Sequence, residues 1–146
     1  DSSAGAVIGL NIHTTKGEFF RSLVEGVTYE ILLNIRLLRK KGIKITKLVA
    51  MGGVSQFGTI MQLKSDVLGL SIEVCPLQET ACRGAAMLAA SALDAGFVES
   101  FFNCIKKEKR LSFIPKKEYT LLYDKNIRSS YLYRQENMCF FFLLHR

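Results

Sequence analysis

The sequence predicts an α/β domain. Three observations carry that expectation. Short β-branched runs alternate with segments of helical period, the switches fall at glycine, proline or capping residues, and 146 residues suffice for one core but hardly for two.

Residues 4–12, "AGAVIGLNI", read as a short buried strand bounded by glycine and His-Thr. A long helix is expected over 15–41. Thr15 followed by Glu18 fits a capping box, in which each side chain satisfies a free backbone N–H. Phe20, Leu23, Val24, Val27, Ile31, Ile35 and Leu38 recur at three- and four-residue spacing, so they are expected to share the buried face. Arg39, Lys40 and Lys41 suit the negative end of the helix dipole, and Gly42 suits its stop. "KLVAMGG" (47–53) follows as a second strand, and 57–69 as a shorter helix ending on Gly69. "LSIEVCP" (70–76) is a third strand closed by Pro76. Residues 79–96 form a helix of small side chains, expected to pack closely on the sheet. Beyond Gly96 the pattern weakens until a tyrosine-bearing helix from about Glu118. The last ten residues, "NMCFFFLLHR", are poorly patterned and read as a terminal extension or frayed end rather than a docking anchor. The expected division is 1–97 for the α/β unit and 98–146 for a helical extension with a basic tail.

Charge narrows the function classes. The net charge of +7 is uneven: residues 1–100 carry ten Lys/Arg against nine Asp/Glu, and residues 101–146 carry ten against four. A near-neutral body with a basic tail does not describe a nucleic-acid groove, so no nucleic-acid partner is expected. Four cysteines without a CxxC pair and two histidines give no zinc set and no disulfide framework. No signal peptide opens the chain and no apolar run spans a bilayer, so no membrane partner is expected and the cytoplasm is the default location. The absence of an initiator methionine suggests a fragment.

Gly52 and Gly53 stand at the carboxyl end of a strand, where ligands of open α/β sheets bind and where a missing Cβ lets a ligand approach the backbone. Taken alone, the pair serves a structural turn equally well. Neither the third glycine of a dinucleotide fingerprint nor a P-loop lysine accompanies it. Asp66 lies on a helix body and is read as capping or pairing rather than as a metal ligand or base. Glu79 and Arg83, one turn apart, read as an ion pair. His13 has no nucleophile to serve, and Cys75 and Cys82 read as small buried hydrophobes. No catalytic or metal-binding residue is expected within the chain.

Taken as a set, the motifs become specific. Arg21 with Glu25-Gly26, then Gly52-Gly53, then Gln62, Asp66 and Gly69, then Glu79, Gly84, Ala85 and Ala86 follow one another over residues 4–97. This series resembles the C-terminal nucleotide-binding domain of the FGGY carbohydrate kinases, a family that includes glycerol kinase, xylulokinase and gluconokinase. The tyrosine segment at 119–133 is similar to the family's carboxyl end. The resemblance implies an actin-like (ribonuclease-H-like) ATPase fold, partial and lacking its first strands. It implies ATP as cofactor, with Mg2+ in the complete enzyme, and a nucleotide site flanked by Gly52, Gly53, Val54, Ser55, Gln56 and Phe57. Glycerol kinase has an asparagine where Phe57 stands, so stacking on the adenine is the alternative there. The sugar or polyol pocket and the catalytic aspartate belong to an N-terminal domain that nothing here resembles. The expected function is therefore a fragment of an ATP-dependent carbohydrate kinase, inactive alone, with ATP or ADP as its ligand. The alternatives are a non-catalytic nucleotide- or partner-binding module derived from such a kinase and, as a minor reading, a nucleic-acid binder through 104–134.

Overall fold

A computed structural model describes residues 5–75, 79–94, 96–106, 110–133 and 140–143. Pro76, Cys139 and His145 lie outside them. The elements are β1 (Gly5–Ile8), α1 (Lys16–Lys40), β2 (Lys47–Ala50), α2 (Gly58–Leu68), β3 (Ser71–Val74), α3 (Thr80–Ser91), α4 (Phe97–Lys106), β4 (Leu111–Phe113), α5 (Lys117–Tyr133) and β5 (Phe140–Leu143). A short 3-10 turn, Gly53–Gln56, joins β2 to α2.

The β2-α2-β3 unit is the centre of the fold. β2 and β3 run parallel, with Lys47 opposite Ser71 and Ala50 opposite Val74. β4 adds antiparallel to β3, pairing Ile72 with Phe113. Ile72 and Val74 point into the core, while Glu73 on the opposite face accepts hydrogen bonds from Lys47 Nζ at 2.8 Å and Arg110 at 3.2 Å. These bonds hold the Glu73 carboxyl below the usual carboxylate range, Lys47 contributing most. The core fills the space between this sheet and helices α1, α2 and α5, with Leu32, Met61, Val67, Tyr123 and Ile127 among its members.

α1 starts as its capping box requires. Thr15 N–H donates to Glu18 Oε2 at 2.8 Å, and Glu18 N–H donates to Thr15 Oγ1 at 3.2 Å. Its buried face is not the expected one. Ser22, Gly26, Thr28, Tyr29, Leu32 and Ile35 are buried, whereas Phe20, Val27, Ile31 and Leu38 stand 36–58 % exposed. Ile35 alone of the seven expected residues is buried. The buried face mixes the small Ser22, Gly26 and Thr28 with the core residues Tyr29, Leu32 and Ile35, and the elements packed against α1 select it.

Several further expectations change. α3 has no buried residue and packs against α4, so its small side chains do not line the sheet. Cys82 is accordingly exposed, while Cys75 is buried. No ion pair joins Glu79 to Arg83 among the described residues. Glu79 is the N-cap of α3 at φ +52°, a left-handed residue outside the helical spiral that one-turn spacing assumes. The segment expected to be weakly patterned contains α4 and β4. Within the phenylalanine-rich end, residues 140–143 form β5, paired in parallel with β1. β1 thus has a partner on one edge, and those four residues are not frayed.

Candidate functional site

The turn after β2 is built around one unusual backbone. Gly52 adopts φ +89° and ψ −179°, a conformation open in practice only to glycine. It redirects the chain from strand to 3-10 turn. Ser55 closes the turn from inside: its N–H and its Oγ–H both donate to the Gly52 carbonyl, at 3.1 and 2.6 Å. Ser55 is buried, whereas Gly53 and Gln56 are exposed, Val54 is 54 % exposed and Phe57 is 61 % exposed. A Cβ added at Gly52 or Gly53 would meet no heavy atom within 4 Å. The six residues expected at the nucleotide site therefore lie together, on a turn with an open outer flank and one inward-facing latch.

α2 starts at the end of this turn with Phe57 as its N-cap, and no side chain caps it. Asp66, two turns along, is tied to the start of α5 by partners that were not foreseen. Its Oδ1 accepts the backbone N–H of Lys116 at 2.7 Å and Gln62 Nε2–H at 3.0 Å, while Gln62 also donates to the Ile114 carbonyl at 2.9 Å. The buried carboxylate thus holds the chain where it enters α5.

The Arg21 and Glu25 motif residues anchor α5 from the other side. Arg21 donates through Nε to Glu25 Oε1 at 2.7 Å and through Nη2 to Tyr123 Oη at 2.7 Å, and Tyr123 Oη–H donates to Glu25 Oε1 at 2.7 Å. The Tyr123 ring meets Tyr29 edge-on, with centroids 6.3 Å apart. Burial first, then the bond to Glu25, pushes the Tyr123 hydroxyl up to about 12. Burial raises Tyr29 in the same direction. The hydrogen bonds to Glu25 and Tyr123 keep the Arg21 guanidinium firmly protonated. Sequence reasoning found Arg21 and Glu25 as motif residues but not Tyr123 as their common partner, because the triangle closes across 98 residues of chain.

A cavity of about 410 Å3 opens between α1, α2 and α5, with Phe20, Val24, Leu63 and Tyr119 among its walls. None of residues 52–57 lines it. His13 is exposed, and no group of three or more His, Cys, Asp or Glu side chains converges as a metal site among the described residues. No helix among them is long and apolar enough to cross a membrane.

The C-terminal domain of the FGGY family of carbohydrate kinases matches residues 1–93. Xylulose kinase of Bacillus subtilis (strain 168) is 30% identical over 136 residues, which cover 87% of this chain and 27% of that protein. Among solved structures, xylulose kinase from Rhodospirillum rubrum superposes with a TM-score of 0.64 at 24% identity, covering 86% of this chain and 25% of that one. Plasmodium falciparum glycerol kinase with ADP superposes with a TM-score of 0.66 at 21% identity, covering 90% and 26%. The chain thus spans about a quarter of the length of these relatives. The two structures share its fold, that of the actin-like ATPases. The match over residues 1–93 takes in the whole of the turn and of α2, and the chain belongs to the FGGY family of carbohydrate kinases as a bearer of its C-terminal domain.

Proposed function

We propose that the chain supplies the adenosine side of the ATP site of an ATP-dependent sugar or polyol kinase. One observation carries the reading: the glycine-only backbone at Gly52 presents an open flank at the carboxyl end of β2, where a Cβ would meet no protein atom. Gly52 and Gly53 let the nucleotide approach the main chain, and Val54 and Gln56 border it. Ser55 keeps the turn in shape through its bonds to the Gly52 carbonyl. The exposed Phe57 ring stacks on the base. ATP fits these residues as a ligand held by backbone and ring rather than by charge. Mg2+ would be held through the phosphates, a mode common for this ion. Its chemistry, when bound, is to neutralise charge on the transferred phosphoryl group.

Family membership favours this kinase reading over an interaction module. The name of a relative, xylulose kinase, supports a sugar as the acceptor. The acceptor pocket and the catalytic base lie outside these residues, so the chain alone binds nucleotide without turning over. The test is a thermal melt with millimolar ADP beside a coupled assay with xylulose, ribulose, gluconate and glycerol. A raised midpoint with no turnover is expected, since a ligand that binds only the folded state stabilises it. An ADP-insensitive midpoint would count against the site, and turnover would count against the division of labour.

A further inference from the structure

The turn that carries the proposed nucleotide site enters a helix whose start has no capping side chain, so something other than a cap must fix that start. The structure supplies it from beyond residue 93, where the family match ends. Phe113, the last residue of β4, stands over Gly58, the first residue of α2: a Cβ at Gly58 would lie 3.5 Å from two carbons of the Phe113 ring. The chain that follows runs along α2 to its end. The Phe113 carbonyl accepts a hydrogen bond from Ser65 Oγ at 3.1 Å, the Ile114 carbonyl accepts one from Gln62, and the Lys116 N–H donates to Asp66. At the far end, a Cβ on Gly69 would come within 2.9 Å of Thr120 Cγ2. Phe113 is itself fixed to the sheet, paired with Ile72 of β3.

We propose that Phe113 is a positioning residue for the turn Gly53–Phe57, and that residues 113–120 form a strap holding α2, and with it the turn, in register with the sheet. The turn is then held at both ends, by β2 on one side and by the Phe113 contact with Gly58 on the other. The proposal rests on the nucleotide reading for its functional meaning, but its mechanical content can be measured without ligand. Removing the ring frees the uncapped start of α2 while the hydrogen bonds further along still keep the helix docked.

Hydrogen exchange followed by mass spectrometry on the 146-residue chain tests this, with Phe113→Ala and Phe113→Leu read against the parent. The expected result is exchange faster by about ten-fold over 53–60 in Phe113→Ala, largely restored in Phe113→Leu, with 28–36 in α1 unchanged. Unchanged exchange over 53–60, or equal acceleration over 53–60 and 28–36, would overturn the proposal, the second because it marks general loosening. Should Phe113→Ala not fold, Gln62→Leu removes the tie to Ile114 and leaves the ring. A smaller acceleration confined to 53–66 supports the strap, and none refutes it. ADP titration separates the two claims. If the parent binds ADP and Phe113→Ala binds it equally well with unchanged exchange, the positioning fails and the nucleotide reading stands. If the parent does not bind ADP yet exchange responds locally, the nucleotide reading fails and the strap stands.

Discussion

Replacing Gly53 by valine separates a ligand contact from a structural one. Gly53 lies outside the left-handed region, and a Cβ there meets no heavy atom within 4 Å. The folded chain therefore has room for the new side chain, and the stability cost should stay within about 0.5 kcal/mol, the usual range for a surface position. Its neighbour behaves oppositely. Gly52 at φ +89° and ψ −179° is closed to other residues, so Gly52→Ala should cost about 1–3 kcal/mol although its Cβ also meets nothing. For a chain of this size, each kcal/mol moves the melting midpoint by roughly 3–4 °C. Gly53→Val should thus melt within about 2 °C of the parent, and Gly52→Ala several degrees below it. If adenosine lies against the main chain at Gly53, the added isopropyl group occupies its space, and ADP affinity should fall at least about ten-fold, equivalent to about 1.4 kcal/mol. Melting curves with ligand-observed NMR of ADP measure both quantities. A Gly53→Val chain with parental midpoint and parental ADP affinity would refute the assignment of the turn.

Other outcomes follow from the polar ties to α5 and from the exposed stripe on α1. Tyr123→Phe removes a buried hydroxyl shared by Glu25 and Arg21, and denaturant unfolding should show a loss of about 1–2 kcal/mol. Because the folded Tyr123 hydroxyl is raised to about 12 from an unfolded value of about 10, its contribution is complete below pH 10 and is lost as pH rises towards 12. The urea midpoint should therefore fall across that alkaline window, less steeply in Tyr123→Phe, and a flat profile would contradict the burial of this hydroxyl. Asp66→Ala strands the Lys116 N–H and should cost about 1–3 kcal/mol by urea unfolding, with Asp66→Asn milder because a carboxamide oxygen still accepts that bond. With Val27 47 % and Ile31 36 % exposed, the chain should self-associate with rising concentration on size exclusion. Val27→Lys with Ile31→Lys should reduce that association without lowering the midpoint, and a monodisperse parent would sink the idea.

What the sequence made legible was local. The capping box at Thr15 and Glu18, the stop at Gly69 and the strand-to-turn glycines at 52–53 each depend on a few adjacent residues, and each stands where expected. The choice of buried face on α1 was not legible. Periodicity identifies a stripe of bulky residues, but the face that packs is decided by neighbours distant in sequence, and here it includes Ser22, Gly26 and Thr28. β4 escaped notice because three residues, Leu111–Phe113, are too few to show alternation, and its place is fixed by pairing with β3. The same holds for the Lys116 N–H that Asp66 accepts, a backbone group 50 residues away that leaves no trace in composition. At the candidate site, the sequence placed all six residues on one turn. It did not reveal that Ser55 faces inward while Val54 and Phe57 face out, a division set by the bonds of Ser55 to the Gly52 carbonyl.

The central claim is that nucleotide lies on the turn after β2. A 15N-labelled sample titrated with ADP and followed by amide chemical shifts tests it most directly. The largest saturable changes are expected at Gly52, Gly53, Val54, Ser55, Gln56 and Phe57, with smaller ones at the first turn of α2. Changes centred on the cavity walls at Phe20, Val24, Leu63 and Tyr119, or none at millimolar ADP, would contradict it.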